Sequence, residues 1–206
     1  MTKKIIIIGG GIAGLSTGIY ARINGYDTTI FEKHSKPGGL CTSWHRKGFI
    51  FDYCIHNLAG TGNLELREVW NELGAFEGTE IIDHEVFTRV EDSKGNELNI
   101  YTDLDRLERH MKEIAPEDSK TIEEYVKAGK SLSSANFFSM DMGGTLSKLK
   151  IVPHMPKAMK WGKITLNNYA EKFNNEFLKR AFPHVQYDMS TSNIPMFPHL
   201  LFFIWF

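Results

Sequence analysis

Residues 3–33 read KKIIIIGGGIAGLSTGIYARINGYDTTIFEK, and an apolar run that ends abruptly in three glycines decides the fold. Ile5 to Ile8, bounded by glycine, predict a strand buried on both faces, the state of a central strand in a parallel sheet. The residues after Gly14 fit an amphipathic helix. Gly9, Gly11 and Gly14 then fall on the spacing G-x-G-x-x-G at a strand-to-helix turn. There the first glycine permits the tight turn, the second lets backbone approach a diphosphate, and the third packs helix on strand. A diphosphate at that turn would meet free N–H groups and the positive end of the helix dipole.

A glycine triplet alone is weak evidence, so the next strand has to supply a group for a ribose. Thr28 to Phe31 is β-branched and aromatic, and Glu32 ends it 18 positions after Gly14, where a ribose-binding carboxylate is expected. Strand, glycine turn, helix, strand and acid therefore agree on a dinucleotide site. No G-x-x-x-x-G-K-[ST] occurs, which excludes a nucleotide-triphosphate loop of that type.

The whole chain sets the limits. Its 206 residues suffice for one or two domains, and a net charge of −1 gives no electrostatic footprint for nucleic acid. Cys41 and Cys54 are the two cysteines, with neither a C-x-x-C pair nor a metal spacing. They read as small buried apolar residues in a reducing compartment in preference to a redox pair. The eight histidines show no H-x-x-x-H or H-E-x-x-H pattern, so no metal is assigned. The four isoleucines Ile5 to Ile8, followed at once by glycine, are too short an apolar core for a signal peptide, making cytoplasm the expected location. The sequence closes on IPMFPHLLFFIWF, an apolar run without cap or polar tail, which suggests an interrupted chain whose last element lacks its cover.

Residues 3–62 read as the nucleotide-binding unit, within a segment 1–80, and 81–206 as part of a second, helical, substrate-binding segment. Val86 to Val90 and Leu98 to Tyr101 predict a hairpin around Lys94-Gly95-Asn96. Thr102 can cap a helix whose stripe is Leu104, Leu107, Met111 and Ile114, ended by Pro116. Another helix follows, with Thr121 and Glu124 as a capping box. Between Met140 and Lys163, Lys148, Lys150, Lys157, Lys160 and Lys163 are interleaved with Met155, Met159 and Trp161. That mixture fits a surface lying peripherally on an anionic membrane or admitting an apolar substrate, and it equally describes a solvated helical face with its packing residues.

The first unit could hold NAD or the adenylate half of FAD, and the residues after Glu32 separate the two. EKHSKPGGLCTSWHRKGFIFDYCIHNLAG places Gly38-Gly39 just beyond the acid and then a strand-like GFIFD. This resembles FAD-dependent oxidoreductases of the phytoene desaturase, carotenoid isomerase and retinol saturase group, closely from Lys3 to Gly62 and more loosely through LREVWNELG and YTDLDRLERHMKEIAPED to the end. In that group an E-x5-G-G arm continues the contact with the dinucleotide, and a G-[FY]-x-[FY]-D segment leads beside the flavin ring.

The resemblance implies an α/β fold: a Rossmann-like FAD/NAD(P)-binding domain with part of a second, α+β substrate domain, incomplete. It implies that Gly9, Gly11, Ile12, Ala13 and Gly14 surround the pyrophosphate of FAD. Glu32 and Lys33 would hold the adenosine ribose, and Gly38, Gly39 and Leu40 would follow the ribityl side. Asp52, His56 and Asn57 would either touch the flavin or hydrogen-bond a loop. The chain departs from the group at Leu40, where many members carry a basic residue, at Cys54, where they carry glycine, and at Asn57, where close members often carry tryptophan. The implied activity is hydride exchange at the flavin with a small hydrophobic, polyene-like substrate, as desaturase, saturase or isomerase. No catalytic acid or base is assigned. An NAD-dependent enzyme, an amine oxidase-like flavoprotein and a non-catalytic dinucleotide-binding module stay open as alternatives.

Overall fold

The isoleucine run forms strand β1, Lys4–Ile8, followed by helix α1, Ile12–Ile23, and strand β2, Asp27–Phe31. A computed structural model of the chain describes residues 2–54, 58, 64–133, 135, 149, 151–186 and 194–201. β1 and β2 pair in parallel, with Lys4 opposite Asp27 and Ile8 opposite Phe31. This is the β-α-β opening of a Rossmann-like fold, in which the crossover helix covers one sheet face. Ile5, Ile7, Thr28 and Ile30 point to that face. Gly18 lets α1 lie flat on it, since a Cβ there would sit 2.9 Å from Ile30 Cδ1.

The other face corrects the expectation of two-sided burial, because Ile6 is 68 % exposed, Ile8 82 % and Phe31 57 %. The reason is architectural: among the described residues the sheet has two strands, and α1 packs on one side of it. Strands β3, Ser43–Arg46, and β4, Phe49–Asp52, form an antiparallel hairpin. It turns at Lys47 and Gly48, whose φ values of 51° and 81° suit a two-residue hairpin turn. Helix α2, Leu64–Glu72, is tied to α1 by the Tyr20 hydroxyl donating to Glu72 at 2.6 Å. These elements belong to one compact unit, Met1–Ala59 with Leu66–Glu80; a second comprises Gly60–Glu65 with Ile81–Phe206.

The second unit opens with β5, Val86–Glu91, and β6, Glu97–Tyr101, paired antiparallel with an irregularity between Val86 and Thr88. The Asp92 carboxylate accepts from the Lys94 and Asn96 amides, and Gly95 takes φ +80°, so the expected hairpin forms on its expected turn. Helix α3, Leu104–Ile114, buries Leu107 and Met111 completely. Its cap is Asp103, whose carboxylate accepts the Arg106 N–H, and not Thr102. The Thr102 hydroxyl instead donates to the carbonyls of His84 and Glu85, fastening the helix start to the segment before β5.

Helix α4, Ser119–Ser133, follows directly from a 3-10 turn at Pro116–Asp118, so Thr121 and Glu124 lie inside it and form no capping box. The Thr121 carbonyl accepts from the Tyr169 hydroxyl, and Glu124 pairs with Lys160 and Lys172. Helices α5, Met155–Gly162, α6, Leu166–Ala170, α7, Glu176–Ala181, and α8, Met196–Leu201, complete the unit. Their core centres on Tyr125, Tyr169 and Phe182, with Trp161, Met196 and Leu200 buried around it. The front of the closing apolar run is therefore covered, with Met196 and Leu200 fully buried. Lys148, Lys150 and residues 202–206 lie outside the described residues. Among the described residues no helix is long and apolar enough to cross a membrane.

Candidate functional site

The glycine turn is built by three different demands on backbone. Gly9 takes φ +101°, a conformation that side chains rarely tolerate, and its N–H donates to the Phe31 carbonyl at 2.7 Å. A Cβ on Gly14 would lie 2.0 Å from the Gly9 carbonyl oxygen, so the helix touches the turn only because that atom is missing. Gly11 has an ordinary φ of −73°, and the nearest atom to an added Cβ would be Gly39 Cα at 4.0 Å. Its space is thus left open while its conformation would suit any residue.

Leu15 donates to the Gly11 carbonyl at 2.9 Å as α1 begins. The amides of Ile12, Ala13 and Gly14 precede it, the groups that a helix start leaves for an anion.

Glu32 closes the turn from below. Its Oε2 accepts the Gly10 N–H at 2.5 Å and its Oε1 accepts the His34 N–H at 2.8 Å. The His34 and Gly10 amides hold the carboxyl below its ordinary value, against a smaller opposing effect of burial. Each oxygen retains a lone pair after one bond, so two hydroxyl donors could still be accepted. Lys33 beside it is exposed.

The arm after Glu32 folds back on the turn. Gly38 donates to the Gly10 carbonyl at 2.7 Å and bridges Gly11 in parallel fashion. Gly38 and Gly39 both take positive φ, 121° and 60°, and a Cβ on Gly39 would meet Gly11 Cα at 3.1 Å. The two glycine pairs thus pack backbone on backbone. Beyond them, a pocket of about 330 Å³ is lined by His34, Lys36, Leu40, Thr42, Trp44 and Tyr53, among others. Trp44 stacks on Phe51 at 5.7 Å and meets Tyr53 edge-on at 5.7 Å, giving that pocket an aromatic wall.

Gly9, Gly11, Ile12, Ala13, Gly14, Glu32, Gly38 and Gly39 are accordingly brought together, and Leu40 lies at the pocket. Asp52 sits at the end of β4, opposite Ser43. His56 and Asn57 lie outside the described residues. The sequence reading overlooked Gly10, which bonds both Glu32 and Gly38; its signal was its place in the middle of an unbroken row of three glycines. Strand β3 and the pocket wall of Thr42, Trp44 and Tyr53 were also missed. The cysteines overturn their expectation, both being exposed: they flank a hairpin in which every residue of β4 faces solvent.

Residues 7–73 match the family model described as NAD(P)-binding Rossmann-like domain. The chain is 24% identical over 189 residues to phytoene desaturase (lycopene-forming) of Pseudescherichia vulneris, covering 87% of this chain and 37% of that protein. It is 31% identical over 122 residues to the phytoene desaturase (lycopene-forming) of Paracoccus sp. (strain N81106 / MBIC 01143), covering 56% of this chain and 23% of that one. An inactive all-trans-retinol 13,14-reductase of Danio rerio is 29% identical over 133 residues, 63% of this chain and 22% of the relative. The chain thus spans between 22% and 37% of the length of these curated relatives. Over residues 7–73 the chain is thus similar to the NAD(P)-binding Rossmann-like domain family, and along much of its length it is similar to proteins of the phytoene desaturase-like group.

Proposed function

We propose that this chain is the dinucleotide-binding portion of an FAD-dependent oxidoreductase of desaturase, saturase or isomerase type, acting on a hydrophobic polyene-like substrate. The observation that carries the reading is the arm after Glu32, whose Gly38 N–H rests on the Gly10 carbonyl at 2.7 Å. It extends the diphosphate cradle beyond what the glycine turn alone offers. When bound, the flavin would supply hydride exchange at its N5 with a substrate carbon. The Ile12, Ala13 and Gly14 amides would hold the diphosphate, and Gly11 would leave room for it. Glu32 would orient the adenosine ribose with its remaining lone pairs, beside Lys33. Gly38, Gly39 and Leu40 would follow the ribityl chain, with the Trp44 and Tyr53 rings lining the adjoining pocket. The substrate class is supported by the relatives, which are named for phytoene and retinol.

Calorimetric titration of the 206-residue chain with FAD and with NAD tests the cofactor. Saturable binding of FAD, tighter than that of NAD, is expected. Binding of NAD alone would overturn the flavin reading, and the NAD-dependent alternative would replace it.

A further inference from the structure

We propose that Cys41 and Cys54 are a redox-responsive dithiol pair, which a small disulfide oxidant closes into a disulfide across the open end of the β3–β4 hairpin. The register argues for it. Ser43 lies opposite Asp52, and Arg46 opposite Phe49 at the turn. Beyond the last paired residues one more cross-strand bond is made, the Tyr53 N–H donating to the Thr42 carbonyl at 3.0 Å, and the chain bends at Cys41, Tyr53 and Cys54. The next pair outward on the same register is Cys41 with Cys54.

The side-chain alternation persists as far as Tyr53. Tyr53 meets Trp44 edge-on while Phe51 stacks on the same indole, so Phe51 and Tyr53 share one face, as residues two apart in a strand must. An antiparallel ladder alternates between pairs that exchange hydrogen bonds and pairs that do not. The Thr42–Tyr53 bond marks its own pair as the first kind, which makes Cys41–Cys54 the second kind. A pair of that kind would bring the Cα atoms to about 4.5 Å, within the roughly 4.4–6.8 Å that a disulfide spans. Both thiols are unbridged and exposed, so an oxidant can reach them.

With oxidised glutathione as the oxidant, the chemistry balances. One cysteine thiolate attacks a sulfur of the small disulfide, forming a mixed disulfide and releasing one glutathione thiolate. The second thiolate then attacks the protein sulfur of that mixed disulfide and expels the other. The two cysteines lose two protons and two electrons, and the oxidant leaves as two thiols. Closure would fix the segment following Gly38-Gly39, since the Cys41 N–H donates to the Gly38 carbonyl at 3.0 Å.

The test equilibrates the 206-residue chain in glutathione buffers of graded ratio, quenches with acid, alkylates with N-ethylmaleimide and weighs the products. The expected product is a monomer lighter by two hydrogens and without alkyl groups. Arg46 and Lys47 lie between the cysteines, so trypsin should yield two peptides joined only by the new bond. Cys41→Ser and Cys54→Ser should each give a glutathione adduct or an interchain dimer instead. Closure of the native chain should be at least tenfold more favourable than in strong urea, where the register is absent. Glutathione adducts on both cysteines of the native protein, with no internal bond, would overturn the proposal. So would equal closure in native buffer and in urea.

Discussion

Gly11 and Gly14 stand three residues apart and are expected to fail differently when a methyl group is added. Gly14→Ala forces a Cβ to within 2.0 Å of a backbone oxygen; overpacking of that kind costs about 1–3 kcal/mol or more, so thermal unfolding should show a large loss of stability. Gly11→Ala meets nothing closer than 4.0 Å and needs no unusual φ. Its stability should change by less than about 1 kcal/mol, while FAD affinity should fall at least roughly tenfold, because the methyl group occupies the space left for the diphosphate. Unchanged affinity in that variant would move the diphosphate elsewhere. Glu32 makes a different prediction. A carboxyl held below its ordinary 4.5 by backbone donors stabilises the fold above the unfolded-state value, and that contribution is lost as pH falls through the folded-state value. Exchange protection of the Gly10 amide should therefore hold above 4.5 and decay below it, whereas Glu32→Gln should show no such step. A Gly10 amide indifferent to acid in the parent protein would show that the turn does not depend on this carboxylate.

Among the elements, α8 carries a pH-sensitive attachment. His199 is 1 % exposed; its Nε2 shares a 2.7 Å hydrogen bond with the Tyr125 hydroxyl of α4, and its Nδ1 lies 3.1 Å from Gln186 Oε1. Its ring stacks on Tyr125 and meets Phe182 edge-on, and burial lowers it from 6.5 to about 4. The unfolded chain then binds the proton more readily, so stability is full above 6.5 and declines as pH falls toward 4, by about 3 kcal/mol in all. Urea unfolding across that range should show the decline, and His199→Phe should flatten it. His110, also lowered by burial, acts in the same sense, so the comparison with the variant decides the matter. An identical slope in His199→Phe would assign the effect to other groups. Nothing local in the sequence announces this contact, which joins residues 74 apart. The same holds for buried Asp118, which accepts from the Asn174 and Asn175 amides across 56 and 57 positions. By contrast the β5–β6 hairpin and the α3 stripe were legible, since alternation, turn residues and three-four spacing are local. Helix starts slipped, by one residue at α3 and three at α4, because the competing partners of Thr102 and the 3-10 turn before α4 are set by neighbouring segments.

At the scale of the molecule, the two units differ in how completely they cover their apolar residues. The second has an enclosed aromatic core, whereas the first exposes Ile6, Ile8 and Phe31 on one sheet face and Phe49 and Ile50 on the hairpin. The uniform isoleucine run read as two-sided burial because a run without alternation carries no information about which side has a partner. Each such side chain left in water forgoes about 1.5–3 kcal/mol of burial, and a two-stranded sheet also presents open edges to other chains. The 206-residue chain by itself is therefore expected to self-associate through its first unit, with light scattering that rises with concentration. Ile6→Thr with Ile8→Thr tests the cause. Threonine keeps the β-branched shape that suits a strand while reducing the apolar area on the uncovered face, and α1 packs on the opposite one. The double variant should scatter less at equal concentration and keep the far-ultraviolet circular dichroism of the parent. If scattering is unchanged while the spectrum is preserved, association runs through another surface, and the exposed hairpin residues Phe49 and Ile50 become the next to alter. A parent chain that stays monodisperse at every concentration would show that the uncovered face of β1 and β2 does not drive association at all.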